Sequence, residues 1–191
     1  FRRVLFRSSN YFVVEADESD GTFLQLSPSV VIVTNVEADH LDHWQTLERI
    51  EEAFVEFTEL TKSRNGFAVI CQDDSGAKDL IAAAKSKAVK VLTYGQSENC
   101  DLRISNLRLG IPGPNFDLIY KGKHMGSISL KVLGTHNALN AAAALLVGLE
   151  LGFEFEKLKQ GISNFSGTRR RFEFKGSVNG VRVRSEEHTS E

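Results

Sequence analysis

The sequence predicts an α/β fold, a mostly parallel sheet flanked by helices with a small antiparallel β subsheet. Three observations carry that expectation. Short, continuously apolar, β-branched runs alternate with amphipathic helical stretches through residues 11–94. Over residues 101–133 the texture changes to alternating apolar and polar positions broken by glycine, proline and lysine turns. Two helical stretches then close the pattern at 137–151 and 154–164.

Taken in order, residues 11–15 (YFVVE) and 30–34 (VVIVT) have the unbroken apolar character of strands buried on both faces of a parallel sheet, and each runs into acidic and polar residues. Residues 46–61 place Leu47, Ile50, Phe54, Phe57 and Leu60 at spacings of three and four, which predicts an amphipathic helix with Thr46 as its N-cap. A third strand at 67–71 (FAVIC) leads through the polar start Asp73-Asp74-Ser75 into a helix over 75–87. A fourth strand at 89–94 is closed by Gly95. The runs Leu102-Ile104, Phe116-Leu118-Ile119 and Ile128-Leu130-Val132 are separated by Gly110-Ile111-Pro112-Gly113-Pro114 and Lys121-Gly122-Lys123, which are hairpin signals. The Ala- and Leu-rich helix of 137–151 stops near Gly152, and the next helix presents Phe155, Leu158 and Ile162 on one face. No internal repeat or low-complexity linker interrupts the chain.

Composition narrows the function classes. With 191 residues, 41% hydrophobic, 25% charged and only three prolines, the chain has the makings of one globular core and is neither collagen-like nor disordered. No apolar run approaches the roughly 20 residues of a membrane-spanning helix, so no membrane role is expected. Cys71 and Cys100 are far apart and form no CxxC pair, which favours a reducing cytoplasm over a disulfide scaffold. A formal charge of −2 argues against a nucleic-acid partner, which would need a concentrated basic face.

The two ends stand apart. Residues 1–8 (FRRVLFRS) and 184–191 (RSEEHTSE) show neither helical nor strand periodicity that joins their neighbours. Encoded as TTC AGA CGT GTG CTC TTC CGA TCT, the first has a reverse complement that reads Arg-Ser-Glu-Glu-His-Thr-Ser-Glu, which is the second. The DNA resembles a sequencing-library adapter read at both ends of an insert, so residues 1–8 and 184–191 are expected to be adapter-derived tails around a native 9–183. Without the tails' four arginines and three glutamates the charge moves to −3, and His188 leaves the pool of candidate ligands.

Four stretches carry candidate chemistry. Glu15-Ala16-Asp17-Glu18-Ser19-Asp20 follows the first apolar strand, where open α/β sheets bind ligands. Its alternative is a solvated loop that caps a helix through Asp17 or Ser19. Thr34 to Asp42 (TNVEADHLD) follows the second strand with Glu37, Asp39 and His40. Carboxylates beside one imidazole suit a hard cation such as Mg²⁺. Zinc fits less well, because His40 and His43 are i, i+3 without an HExxH pattern or nearby cysteines, and His43 reads as a surface residue. In the third stretch, Gly134-Thr135-His136-Asn137-Ala138-Leu139-Asn140, the amides Asn137 and Asn140 share a helical face able to pair with a base edge; the alternative is a tight turn before a closely packed helix. In the fourth, Gly167-Thr168-Arg169-Arg170-Arg171-Phe172, three guanidinium groups are either a phosphate clamp or a solvated charge run.

In this order, EADESD (15–20), TNVEADHLD (34–42), GTHNALNAAAA (134–144) and GTRRRF (167–172) resemble the central ATP-binding domain of the Mur ligase family, and the resemblance covers nearly all of residues 11–180. It implies a P-loop-type central domain over 9–183 and an ATP-dependent carboxylate-amine ligase of bacterial, cytoplasmic peptidoglycan precursor synthesis. Glu15 and His40 would hold Mg²⁺. His136, Asn137 and Asn140 would contact the adenine of ATP, and Arg171, with Arg170 as the alternate, the phosphates. Glu15, His40 and Arg171 would form the catalytic set, with Asp17, Glu18 and Asp39 in supporting places. Siblings that add later residues carry a carbamylated lysine about fifteen positions after the motif histidine. Val55 stands in that region, which favours the branch whose partners are UDP-N-acetylmuramate and L-alanine. The tripeptide-adding sibling and a noncatalytic nucleotide-binding module are the alternatives. The sequence holds no GxxxxGK[ST] phosphate loop, which the family places before Tyr11, so the expectation is a truncated domain without ligase activity of its own.

Overall fold

The structure, a computed structural model, describes residues 3–7, 10–168 and 173–185. At its centre lies the segment of purest apolar composition, Phe67–Cys71 (β4), all five residues of which are buried. A strand without polar side chains must be covered on both faces. Val30–Val33 (β3) and Val91–Gly95 (β5) flank it in parallel, and Leu102–Arg108 (β6) runs parallel to β5. Asn115–Tyr120 (β7) and Lys123–Ser129 (β8) add antiparallel, so one sheet runs β3-β4-β5-β6-β7-β8. The antiparallel hairpins therefore extend the parallel sheet through β6. The β7–β8 turn is Lys121-Gly122, with φ of 47° and 79°, the mirror-image two-residue loop whose twist suits a hairpin. Because β8 starts directly after that turn, it spans Lys123–Ser129, and Leu130 and Val132 fall beyond the strand expected of them.

Period-two alternation sorts the core into two layers. Ala68 and Ile70 of β4 pack with Val31 and Val33 beneath Leu47–Glu59 (α2) and Ser75–Ser86 (α3). Phe67, Val69 and Cys71 face the other way, toward Thr135–Glu150 (α4), whose Ala138, Ala142 and Leu145 are wholly buried, and Phe155–Asn164 (α5) packs outside it. Small residues let α4 approach closely: a Cβ on Gly148 would meet Leu158 Cδ2 of α5 at 2.4 Å. The caps are where the sequence puts them. Thr46 Oγ1 accepts from Arg49 N at 3.4 Å, and Asp74 Oδ1 accepts from Ala77 N at 2.8 Å. Among the described residues, no helix is long and apolar enough to cross a membrane.

One expectation is overturned. Phe12–Glu15 (β2) is not a buried strand of the parallel sheet; it pairs antiparallel with Arg3–Arg7 (β1), and Phe12 is 59% exposed. An apolar run marks a strand without saying which neighbour it takes, and an adjacent segment is reached at a loop-closure cost about 1 kcal/mol lower than one a dozen or more residues away. The described parts of the two ends contain strand, which leaves the expectation of adapter-derived tails untouched. Besides β1, Glu173–Val178 (β9) pairs with Val181–Ser185 (β10), which includes Arg184 and Ser185. Backbone pairing requires only an unpaired edge nearby, so it forms without apolar periodicity.

Candidate functional site

Because β3, β4 and β5 are parallel, their carboxyl ends open onto one rim, and the acidic stretches of the sequence meet there. After β3 the chain turns through Thr34 to His40 into Leu41–Trp44 (α1), a single turn. His40 sits at φ 53°, ψ 39°, the left-handed region, and its N–H donates to Asp39 Oδ1 at 2.8 Å. Histidine tolerates that region better than most residues, but holding it there still costs on the order of 1–3 kcal/mol, a strain that clusters at functional sites. The His40 ring nitrogen Nε2 lies 3.7 Å from Glu18 Oε1 and 3.8 Å from Asp39 Oδ2, with the His40 side chain about one-third exposed at 32%.

The acidic stretch after β2 divides its labour. Asp17 Oδ1 accepts from Ser19 N and Asp20 Oδ1 from Thr22 N, each at 3.0 Å. The side-chain and backbone hydrogen bonds of Ser19 hold Asp17 below the usual carboxylate range, and the backbone N–H of Thr22 does the same for Asp20. These two carboxylates shape their own turn, but neither caps a helix as the alternative expected of Asp17: the short helix that follows has Gly21 as its N-cap and no side-chain cap. Glu18 is the one that reaches His40. Glu15 ends β2 in an exposed position, and the carboxylates within 4 Å of the His40 ring are those of Glu18 and Asp39. Glu18 and Asp39 thus join His40 as candidate ligands, while Glu15 ends a strand paired with residues 3–7 of the expected adapter-derived tail, so its role beside His40 is not addressed by this geometry. Trp44 binds the two stretches together, its Nε1–H donating to the Glu18 carbonyl at 2.9 Å while its ring meets Phe23 edge-on. A cleft of about 190 Å³ opens between them, lined by Glu18, Thr34, Asn35, Glu37, Asp39 and Trp44 over an apolar floor of Phe23 and Phe57.

The donor chemistry fits Mg²⁺. Two carboxylates converge on an imidazole, and this cation needs only one or two protein ligands when phosphates and water complete its shell. Among the described residues no group of three or more His, Cys, Asp or Glu is arranged to hold a metal ion by itself, so phosphate oxygens and water would have to complete the shell.

The third stretch opens α4. Gly134 adopts φ 99°, and a Cβ there would lie 2.5 Å from the His136 ring, so the turn needs glycine. Asn137 Nδ2 donates to Leu133 O at 2.7 Å and lies 3.0 Å from His136 Nε2. His136 and Asn140 are exposed on the same first turns. Arg169, Arg170 and Arg171 lie outside the described residues, so the phosphate roles expected of Arg170 and Arg171 are not addressed by the geometry. Sequence reasoning missed Trp44 and Asp74. Trp44 is the chain's single tryptophan, one helical turn after His40, a signal that was open to reading. Asp74 was visible only as part of a helix start.

The comparisons with known proteins identify the family. The family pattern described as Mur ligase middle domain matches residues 2–148. A UDP-N-acetylmuramate--L-alanine ligase from Acidothermus cellulolyticus is 43% identical over 176 residues, 92% of this chain. One from Arthrobacter sp. is 45% identical over 177 residues. The chain spans 37% of the length of each of these two relatives. Among solved structures, the UDP-N-acetylmuramate-alanine ligase MurC of Thermotoga maritima superposes with a TM-score of 0.76 at 25% identity, covering 95% of this chain and 40% of that one.

Proposed function

This chain belongs to the Mur ligase family, and from that membership we propose that it is the ATP-binding middle portion of a longer ligase that joins the carboxylate of UDP-N-acetylmuramate to the amine of L-alanine. The observation that carries this reading is the 43% and 45% identity to alanine-adding ligases over 92% of the chain. The rim geometry supports it, because the motif histidine is held in a strained conformation between two carboxylates.

The reaction the family implies has two steps. A carboxylate oxygen of the sugar nucleotide attacks the γ-phosphorus of ATP, the bond to the β-bridging oxygen breaks, and ADP leaves an acyl phosphate. The amine nitrogen of alanine then attacks the acyl carbon, phosphate departs, and the nitrogen loses its proton. Both steps gather negative charge, so positioning and electrostatics supply most of the catalysis. Bound Mg²⁺ supplies neutralisation of the phosphoryl oxygens. His40 would hold it, with Glu18 or Asp39 and with Glu15 if β2 approaches. Asn137, Asn140 and His136 would present amide and imidazole groups to the adenine, and Arg171 or Arg170 would bind phosphate oxygens. A cytoplasmic setting suits the two free cysteines, Cys71 and Cys100.

The test is phosphate release from ATP by the full ligase carrying this chain. Release that requires both UDP-N-acetylmuramate and L-alanine is the expected result. Release driven by a tripeptide in place of L-alanine would reassign the chain to the tripeptide-adding sibling, and nucleotide binding without turnover would mark a noncatalytic module. Glu15→Gln should cripple Mg²⁺-dependent turnover without unfolding the protein; unchanged turnover would remove Glu15 from the ligand set in favour of Glu18. The 191-residue chain assayed alone should release no phosphate.

A further inference from the structure

The loop that carries Glu37, Asp39 and His40 is fastened to the body of the fold at one residue. Val36, only 5% exposed, donates its N–H to Asp74 Oδ1 at 3.1 Å, across 38 residues of sequence. The same oxygen accepts from Ala77 N at 2.8 Å and caps α3. The carbonyl side of Val36 is gripped as well. A Cβ on Gly76 would lie 2.2 Å from Val36 O, a backbone atom with no rotamer by which to retreat. The turn Asp74-Ser75-Gly76 thus holds the N–H of Val36 with a side chain and makes room for its C=O by lacking one. Among the described residues, the other hydrogen bonds of residues 34–40 are local: Thr34 to Asn35, Asn35 to Glu37, Glu37 to Asp39, Asp39 to His40, and His40 to His43 and Trp44. Among the described residues its further polar ties to distant sequence are the contact of His40 Nε2 with Glu18 Oε1 at 3.7 Å and the electrostatic reach of Asp17, and both belong to the site itself. Asp73, next in sequence, performs the matching service one strand further along, accepting from Gln96 N at 2.6 Å and Ser97 N at 3.1 Å.

We propose that Asp74, together with Gly76, is a positioning residue for the cation- and nucleotide-facing loop, setting where Asp39 and His40 stand relative to Glu18; this rests on the reading of His40 as a Mg²⁺ ligand. The cap and the loop tie share one oxygen, so the register of α3 is transmitted directly to the loop. Preorganisation of this kind is worth most where ligands must be held within about half an ångström of productive geometry.

Four variants of the full ligase test it: Asp74→Ala, Asp74→Asn, Gly76→Ala and His40→Ala. Two readouts are used, hydrogen exchange of residues 34–40 in metal-free protein and Mn²⁺ binding in the presence of ATP, followed by electron paramagnetic resonance. Asp74→Ala and Gly76→Ala should speed exchange at 36–40 and weaken Mn²⁺ binding at least about 10-fold, as should His40→Ala for Mn²⁺. Asp74→Asn keeps the Oδ1 acceptor and should stay within about twofold of the parent on both readouts. If Asp74→Ala folds too poorly to measure, Gly76→Ala decides, because it displaces Val36 while leaving the cap in place. Weakened Mn²⁺ binding in His40→Ala with none in Asp74→Ala and Gly76→Ala, whatever their melting temperatures, overturns the proposal and leaves the family reading standing. Unchanged binding in His40→Ala overturns the ligand reading, and the positioning role falls with it.

Discussion

On the α4 face of the sheet and on the rim at its carboxyl ends, the same chain is held by different means. Beneath α4, Ala138, Ala142, Leu145 and Leu146 meet Val69, Tyr94, Leu102 and Leu118, all at or near zero exposure. Each side chain there touches many others, so position is over-determined by packing. On the rim, the loop after β3 is placed by a single core side chain, Val36, with its N–H on one carboxylate and its C=O against one missing Cβ, and the loop before it by the indole of Trp44. Polar ties of this kind are directional and few. They let a strained His40 and a half-exposed cleft persist at the edge of a rigid body, and they make the rim sensitive to single atoms where the core is sensitive to volume.

The contrast can be broken most forcefully from the core side. Leu145→Ala should cost about 2–5 kcal/mol of global stability through lost burial and the cavity left behind. Urea unfolding would read this as a lower midpoint with an unchanged slope, while the exchange of the rim amides, measured relative to the rest of the protein, stays as in the parent. A rim-selective increase in exchange would show that packing, not polar ties, places the loop.

A mixed case lies between the two regions, at the far end of α4. Glu150, its side chain 8% exposed, accepts from Tyr120 Oη at 2.7 Å and from Lys121 Nζ, and pairs with Lys90 at 3.3 Å. Burial works against its charge, but the hydrogen bonds from Lys121, Tyr120 and Lys90 outweigh it, leaving the carboxyl below its ordinary value of 4.5. A depressed carboxylate contributes stability that is present above the ordinary value and is lost as pH falls below about 4.5. Glu150→Gln should therefore lose about 1–2 kcal/mol near neutral pH, its lysine partners being half-exposed, and flatten the acid limb of a stability-against-pH curve. An acid limb identical to that of the parent would remove Glu150 as its source.

Smaller effects sharpen the rim side. Trp44→Phe keeps a ring against Phe23 and removes the indole donor to Glu18 O; it should cost about 0.5–1.5 kcal/mol and loosen residues 15–20 selectively in hydrogen exchange. Uniform loosening of the whole chain would assign Trp44 to packing alone. The smallest effect concerns Cys100. Burial, then the neighbouring charge of Asp73, pushes its thiol from 9.0 up to about 12. Thiolate is the reactive form, so labelling by a disulfide reagent at pH 8 should be at least about 100-fold slower in the folded chain than after unfolding in urea. The sign follows for stability: the neutral thiol is favoured by folding, so its contribution is intact below pH 9 and declines as pH rises toward about 12. Rapid labelling of the folded chain would place Cys100 on an open surface.

Local chemistry was legible and partnership was not. The apolar spacing of Leu47, Ile50, Phe54 and Phe57 specifies α2, and Thr46 caps it as read, because a helix satisfies its own hydrogen bonds from neighbouring residues. Lys121-Gly122 marks the β7–β8 turn for the same reason. The run YFVVE announced a strand but not its partner, since a strand's hydrogen bonds are made elsewhere in the chain. The rim was readable as two acidic stretches following two strands, whereas the approach of Glu18 to His40 depended on how Asp17 and Asp20 fold their own turn.

The sequence by itself determined the periods of its helices and strands, the glycines its turns demand and, through four ordered motifs, the family. Only the tertiary structure decided that β2 leaves the sheet for β1, that Trp44 and Glu18 bridge the two acidic stretches, and that Asp74 holds Val36. Periodicity is a property of neighbours three or four residues apart, while the Trp44 and Asp74 contacts join residues 26 and 38 positions apart, and their energies exist only after the sheet has brought its strand ends together.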